Sequence, residues 1–167
     1  MHETLCAMEP MNNGTPYEMS VGRTVIAFSQ IERMLDYIVG VAINYGGFPR
    51  PNGPYPRLLG AKIKFVKSAF AGCDLLVPFA AGGEHLLARV LEAADDRNWL
   101  VHAAEIDAPG RGLHLEMLKF AELRYERVQR KLTSKDLLAI PERAQRLNSE
   151  LGDFVSEIID AASRSNR

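Results

Sequence analysis

VGRTVIAFSQIERMLDYIVGVAINY, residues 21–45, repeats apolar side chains every three or four positions: Val21, Val25, Phe28, Leu35, Val39 and Ala42, with Ile31, Ile38 and Tyr45 widening the stripe. That period belongs to an α-helix, because 3.6 residues per turn brings such positions onto one face. No proline interrupts it, so the segment predicts an amphipathic helix with one buried face. Glu32 breaks the stripe between Phe28 and Leu35, at a position that faces the interior of a bundle.

Working outward, residues 46–56 hold three glycines and four prolines, which neither continue a helix nor pair inside a sheet. A surface loop is expected there. Leu59, Ile63, Val66, Phe70 and Cys73 resume helical spacing, with Lys62, Lys64 and Lys67 off the stripe, and Pro78 with Gly82-Gly83 closes this second helix. A third helix is expected from about Glu84 to Ile106, through Leu87, Val90, Leu91, Ala94 and Val101, and residues 107–112 (DAPGRG) end it. Residues 113–132 fit two periods. Leu118, Ala121, Tyr125, Val128 and Leu132 suit a helix, whereas Leu113, Leu115 and Met117 alternate as in a strand, so a small β-hairpin within 113–132 stays open. Thr133 and Asp136 have the spacing of a capping box, Pro141 suits a first helical turn, and Ala144, Leu147, Leu151, Phe154, Ile158 and Ala161 line a last helix.

The expected class is therefore all-α in the main, an antiparallel four- to five-helix bundle with room for that hairpin. Its domains would be a flexible N-terminal tail over 1–18 and a single bundle over 19–165. At 167 residues, with 47% hydrophobic and 25% charged residues, the chain suits one globular domain. Neither a membrane-length apolar run nor a basic start followed by an apolar stretch is present, so a cytoplasmic protein with no membrane partner is expected. Cys6 and Cys73 supply neither a disulfide framework nor a zinc site, and reduced thiols are expected.

A net charge of -1 does not mark a nucleic-acid binder, but the distribution is uneven. Between Asp36 and Asp74 lie Arg50, Arg57, Lys62, Lys64 and Lys67 and no acidic residue, with Tyr45, Phe48 and Tyr55 interleaved. This stretch is either a solvated face or a surface for RNA phosphates, with Lys62, Lys64 and Lys67 as its candidates.

The chemistry concentrates in the third helix, which reads Asp95-Asp96-Arg97-Asn98-Trp99-Leu100-Val101-His102. Asn98 and His102 lie about 40° apart on one face, while Arg97 stands about 140° from His102. Polar groups late in an apolar helix require partners, since an unpaired buried group costs about 1–3 kcal/mol. Glu32 is the internal candidate. One reading makes Glu32 and Arg97 a buried pair and the trio a polar staple, in a non-catalytic helical dimerisation or interaction module, with His102 favoured by the helix dipole.

The arrangement Arg97-Asn98-x-x-x-His102 resembles that of the bacterial HEPN-type proteins, helical bundles marked by an arginine, a polar residue and a histidine. The resemblance runs from the helix bearing Ile31-Glu32 to the last helix after Thr133. It implies a homodimer with two motifs face to face, a metal-independent endoribonuclease activity leaving 2′,3′-cyclic phosphate, no cofactor, and a toxin or defence role with a cognate antitoxin or partner protein. On that resemblance His102 moves protons, Arg97 stabilises phosphorane charge, Asn98 orients the histidine or phosphate, and Glu32 supports them. One toxin branch has a tyrosine two residues past the histidine where this chain has Ala104, so modification at that tyrosine is not implied; Ala103 stands where related proteins often have glycine.

Other residues invite plainer readings. His85 and His114 lack acidic or thiol partners at metal-ligand spacing, and no metal site is expected. Glu92, Asp95 and Asp96 read as a solvated face. Trp99 is either a base-stacking surface beside the motif or part of a core edge.

Overall fold

The computed structural model describes residues 15–50, 55–107, 112–121 and 124–165. Cys6, most of the expected tail, residues 51–54 of the loop and residues 108–111 of the breaker lie outside them. Among the described residues the chain is mainly helical and carries a small three-stranded antiparallel sheet. In order these are α1 (Pro16–Asn44), α2 (Leu59–Gly72), a 3-10 turn (Val77–Phe79), α3 (Ala80–His102), β1 (Ala104–Glu105), β2 (Leu113–Ala121), β3 (Arg124–Leu132) and α4 (Ser134–Ser165). No single helix among them is long and apolar enough to cross a membrane.

Helix α1 begins earlier than the apolar stripe suggests. Thr15 Oγ1 accepts the Glu18 amide at 3.3 Å and the Thr15 amide donates to Glu18 Oε2 at 2.6 Å, closing a capping box with Pro16 in the first turn. Residues 16–18 thus belong to the helix and not to a tail. The buried face of α1 comprises Ile31, Leu35, Ile38, Val39 and Ala42, which meet Ile63, Val66 and Phe70 of α2, Leu87 and Val90 of α3, and Leu147, Leu151 and Ile158 of α4. α1 packs most extensively against α4.

The break expected at Gly82-Gly83 is absent, because Pro78 opens a short turn that runs straight into α3 and both glycines lie inside it. Gly83 is required for packing: a Cβ there would stand 2.3 Å from Phe70 Cε2. Phe70 therefore seats against the α3 backbone and meets Phe154 edge to face at 6.1 Å.

Of the two readings of 113–132, the strand is correct. β2 and β3 pair in register from Leu113↔Leu132 to Ala121↔Arg124, and β1 adds Ala104↔Glu116 and Glu105↔Leu115. α3 consequently stops at His102 rather than Ile106. The alternation that decides it is burial. Leu115 and Leu132 face inward with Trp99, Leu100, Leu137 and Ile140, each buried apolar side chain contributing about 1.5–3 kcal/mol. A helix over the same residues could not place Leu113, Leu115 and Met117 on one side. The predicted cap at Thr133 is present: its amide donates to Asp136 Oδ2 at 2.8 Å and its Oγ1 accepts the Asp136 amide at 3.2 Å. Because that cap starts α4 at Ser134, Pro141 falls within the helix and is buried there, beyond the first turn.

Candidate functional site

The Arg97 to His102 segment forms the last turns of α3, and four contacts, one within it and three on Asp95 and Asp96 just before it, fix it. Tyr17 of α1 donates its hydroxyl to the Leu100 carbonyl at 2.9 Å, satisfying one of the helix-end acceptors. Burial of that phenol, then the nearby Glu105 carboxylate, push its pKa up. Asp96, with a side chain only 17% exposed, accepts from Arg130 of β3 at 2.7 Å and from Arg143 of α4 at 2.6 Å. Lys119 of β2 reaches Asp95 at 3.3 Å. Of the three acidic residues expected on a solvated face, Glu92 and Asp95 are exposed, whereas Asp96 binds α3 to the hairpin and to α4, since the sheet brings Arg130 over it. Sequence reading missed Lys119, Arg130 and Arg143. The alternation that puts Lys119 and Arg130 on the same face as Leu115 and Leu132 was the available signal.

Trp99 is 5% exposed among Leu115, Leu132 and Leu137, with Lys119 Nζ 5.4 Å and the Arg130 guanidinium 6.0 Å from its ring centroid. No face is left on which a base could stack. Of its two readings, the core edge holds.

Arg97 points the other way, toward α1. Its guanidinium carbon lies 5.4 Å from the Phe28 ring centroid, and it lines an open cleft of about 490 Å³ with Phe28, Glu32, Arg33, Lys62 and Val101. Its nearest carboxylate oxygen, Glu32 Oε1, is 4.0 Å from Nη2, at the limit of an ion pair and beyond a hydrogen bond. The buried Nε has no partner among the described residues. The reason lies in α2. Lys62, expected on a basic surface for RNA, is 6% exposed and places Nζ 2.9 Å from Asp36 Oδ2 and 3.5 Å from Glu32 Oε2. Lys62 takes the carboxylates of α1 and leaves Arg97 with the 4.0 Å contact to Glu32 and the Phe28 ring, but no hydrogen bond among the described residues. Lys62 is therefore removed from any phosphate-binding surface, whereas Lys64 and Lys67 are exposed. Tyr55 completes the cluster, donating to Asp36 Oδ1 at 3.3 Å; burial first, then that carboxylate, push its pKa up to about 12.

His102 is exposed at the C-terminal end of α3, and Asn98 is half-buried one turn before it. Neither lines the Arg97 cleft, which is bounded on α3 by Arg97 and Val101. Within one copy the arginine and histidine thus open on different sides of the helix, as their 140° separation requires. His85 is exposed, and Cys73 is a buried free thiol whose Sγ donates to the Gly46 carbonyl at 3.7 Å.

Comparison of the chain with family models, with curated proteins and with solved structures yields no match.

Proposed function

We propose that this chain is a HEPN-type endoribonuclease that acts as a homodimer and cleaves single-stranded RNA without a metal. The observation that carries the reading is an Arg97 guanidinium that lines an open cleft and stands 4.0 Å from Glu32 without a hydrogen bond, where the buried-pair alternative requires a closed contact. In this reading the four helices form an antiparallel bundle, and the second copy covers Val25, Ile26 and Val101, three exposed apolar residues beside the cleft. That contact would bring the motifs of both copies into one groove and supply the convergence that one copy lacks.

The chemistry follows from RNA itself. The 2′-hydroxyl is the nucleophile; its proton passes to a neutral imidazole, the 2′-oxygen attacks phosphorus, and the 5′-oxygen leaves with the proton returned by that same group, now an imidazolium. A 2′,3′-cyclic phosphate and a 5′-hydroxyl remain. An imidazole can both accept and donate a proton, so one histidine carries both transfers. The Arg97 guanidinium holds two phosphate oxygens and stabilises the charge that develops on the phosphorane. Asn98, about 40° from His102, orients the imidazole or a phosphate oxygen by hydrogen bonding. A cytoplasmic location and a cognate antitoxin or other partner protein belong to the same reading.

Subunit mixing tests it. Arg97→Ala and His102→Ala should each abolish cleavage, and heterodimers of the two should regain part of it, because one arginine and one histidine then share the groove. Mixed dimers as inactive as their parents would rule out a composite site.

A further inference from the structure

The hairpin offers a surface that neither the core nor the Arg97 cleft uses. Strand alternation turns Leu115, Met117, Val128 and Leu132 inward and leaves Leu118, Phe120, Tyr125, Arg127 and Lys131 on the other face. Phe120 and Tyr125 are direct cross-strand partners, 61% and 73% exposed, with ring centroids 5.1 Å apart. Two aromatic rings held side by side in water are costly to leave bare, and among the described residues no element packs over them.

Charge identifies what would. The outer face carries Arg127 and Lys131 against Glu116, in a chain of net charge -1, while Arg124, Glu126 and Arg130 stand on the inner face. Arg127 pairs with Glu116 at 3.3 Å, but its side chain is 71% exposed, so the pair is weak and exchangeable. A second copy of this face would oppose like charges across a two-fold axis. A polyanion with flat apolar groups satisfies both features at once. We propose that the outer face of the hairpin is a docking platform for single-stranded RNA, whose bases stack on Phe120 and Tyr125 while Arg127 and Lys131 contact phosphates. The position suits the chemistry: β1 begins two residues after His102, Ala104 pairs with Glu116, and Phe120 lies four residues, about 13 Å, further along β2. The choice of RNA as ligand rests on the function proposed above.

Fluorescence anisotropy with an end-labelled single-stranded oligoribonucleotide, in a His102→Ala background that prevents turnover, tests the platform. Phe120→Ala with Tyr125→Ala should weaken binding about tenfold to a hundredfold. Phe120→Leu with Tyr125→Leu, which keeps apolar area and removes the π-faces, should weaken it similarly, and duplex RNA should compete poorly because its bases are already stacked. Arg127→Gln with Lys131→Gln should flatten the salt dependence. Unchanged affinity in both aromatic double variants overturns the proposal, and so does a changed oligomeric state by sedimentation without an affinity change. Protein that binds through the hairpin yet never cuts refutes the nuclease reading and leaves the platform standing. Cutting of dilute RNA at the wild-type rate by Phe120→Ala, Tyr125→Ala refutes the platform alone.

Discussion

Arg97→Ala and Lys62→Met should differ in how far they lower stability, although both residues face Glu32. Arg97 makes one 4.0 Å contact with a carboxylate that is 30% exposed, an interaction worth about 0–1 kcal/mol. Its stacking on Phe28 adds about 0.5–1 kcal/mol, and truncation also removes the unpartnered Nε, a desolvated donor that favours unfolding. The sum is about 1 kcal/mol or less. Lys62 is different: its ammonium, 8% exposed, holds two carboxylates at 2.9 and 3.5 Å. Stranding a fully buried partner costs about 3–5 kcal/mol, and because Glu32 and Asp36 are 30% and 39% exposed the cost here falls to about 1–3 kcal/mol. For a chain of this length that lowers the melting temperature by about 2–12 °C, against about 4 °C or less for Arg97→Ala. Thermal and urea melts of both variants measure this, with Glu32→Gln added to the Arg97→Ala background. If Arg97→Ala melts as far below wild type as Lys62→Met, and Glu32→Gln restores it, Arg97 is a structural partner and not a phosphate ligand.

Asp96→Ala should free Arg130 and Arg143 together, cost about 1–3 kcal/mol, and speed amide exchange in β2 and β3 before the helices, as hydrogen-exchange mass spectrometry would show. Hydrogen bonds from Thr133 hold the Asp136 carboxyl below the ordinary carboxylate range, and the Arg89 guanidinium does the same for Glu150. Both contributions are present above the unfolded pKa and disappear as pH falls through the lower folded pKa. Asp136→Asn should therefore flatten the acid limb of a stability-against-pH curve without altering the neutral plateau relative to the alkaline limb. Gly83→Ala should displace the Phe70 ring and cost about 1–3 kcal/mol in a urea melt, whereas Gly22→Ala, where a Cβ meets nothing within 4 Å, should be neutral or stabilising.

The helices were legible because their signals are local. The stripe of α1 and the Thr133–Asp136 cap each lie within one segment, and the structure has both where the spacing puts them. The hairpin was legible only as one of two periods. What settles it is Trp99, whose need for cover favours the strand face of Leu115 and Leu132, a contact that short-range spacing does not contain. The same limit explains the misread charges. Lys62 and Asp96 look solvated from their neighbours in sequence, and both are engaged by residues 26 to 47 positions away. Residue types and helical angles indicated the motif itself, including the divergence of Arg97 from His102. They did not indicate that Lys62 would take the Glu32 carboxylate and leave Arg97 without a hydrogen bond.

The most direct test of the nuclease reading is the chemistry of the cut ends. Wild-type protein incubated with single-stranded RNA in excess EDTA should release fragments ending in 2′,3′-cyclic phosphate, and His102→Ala of equal thermal stability should release none. Absence of cutting by the wild-type dimer, cutting that survives His102→Ala, or fragments ending in a 3′-hydroxyl would contradict it.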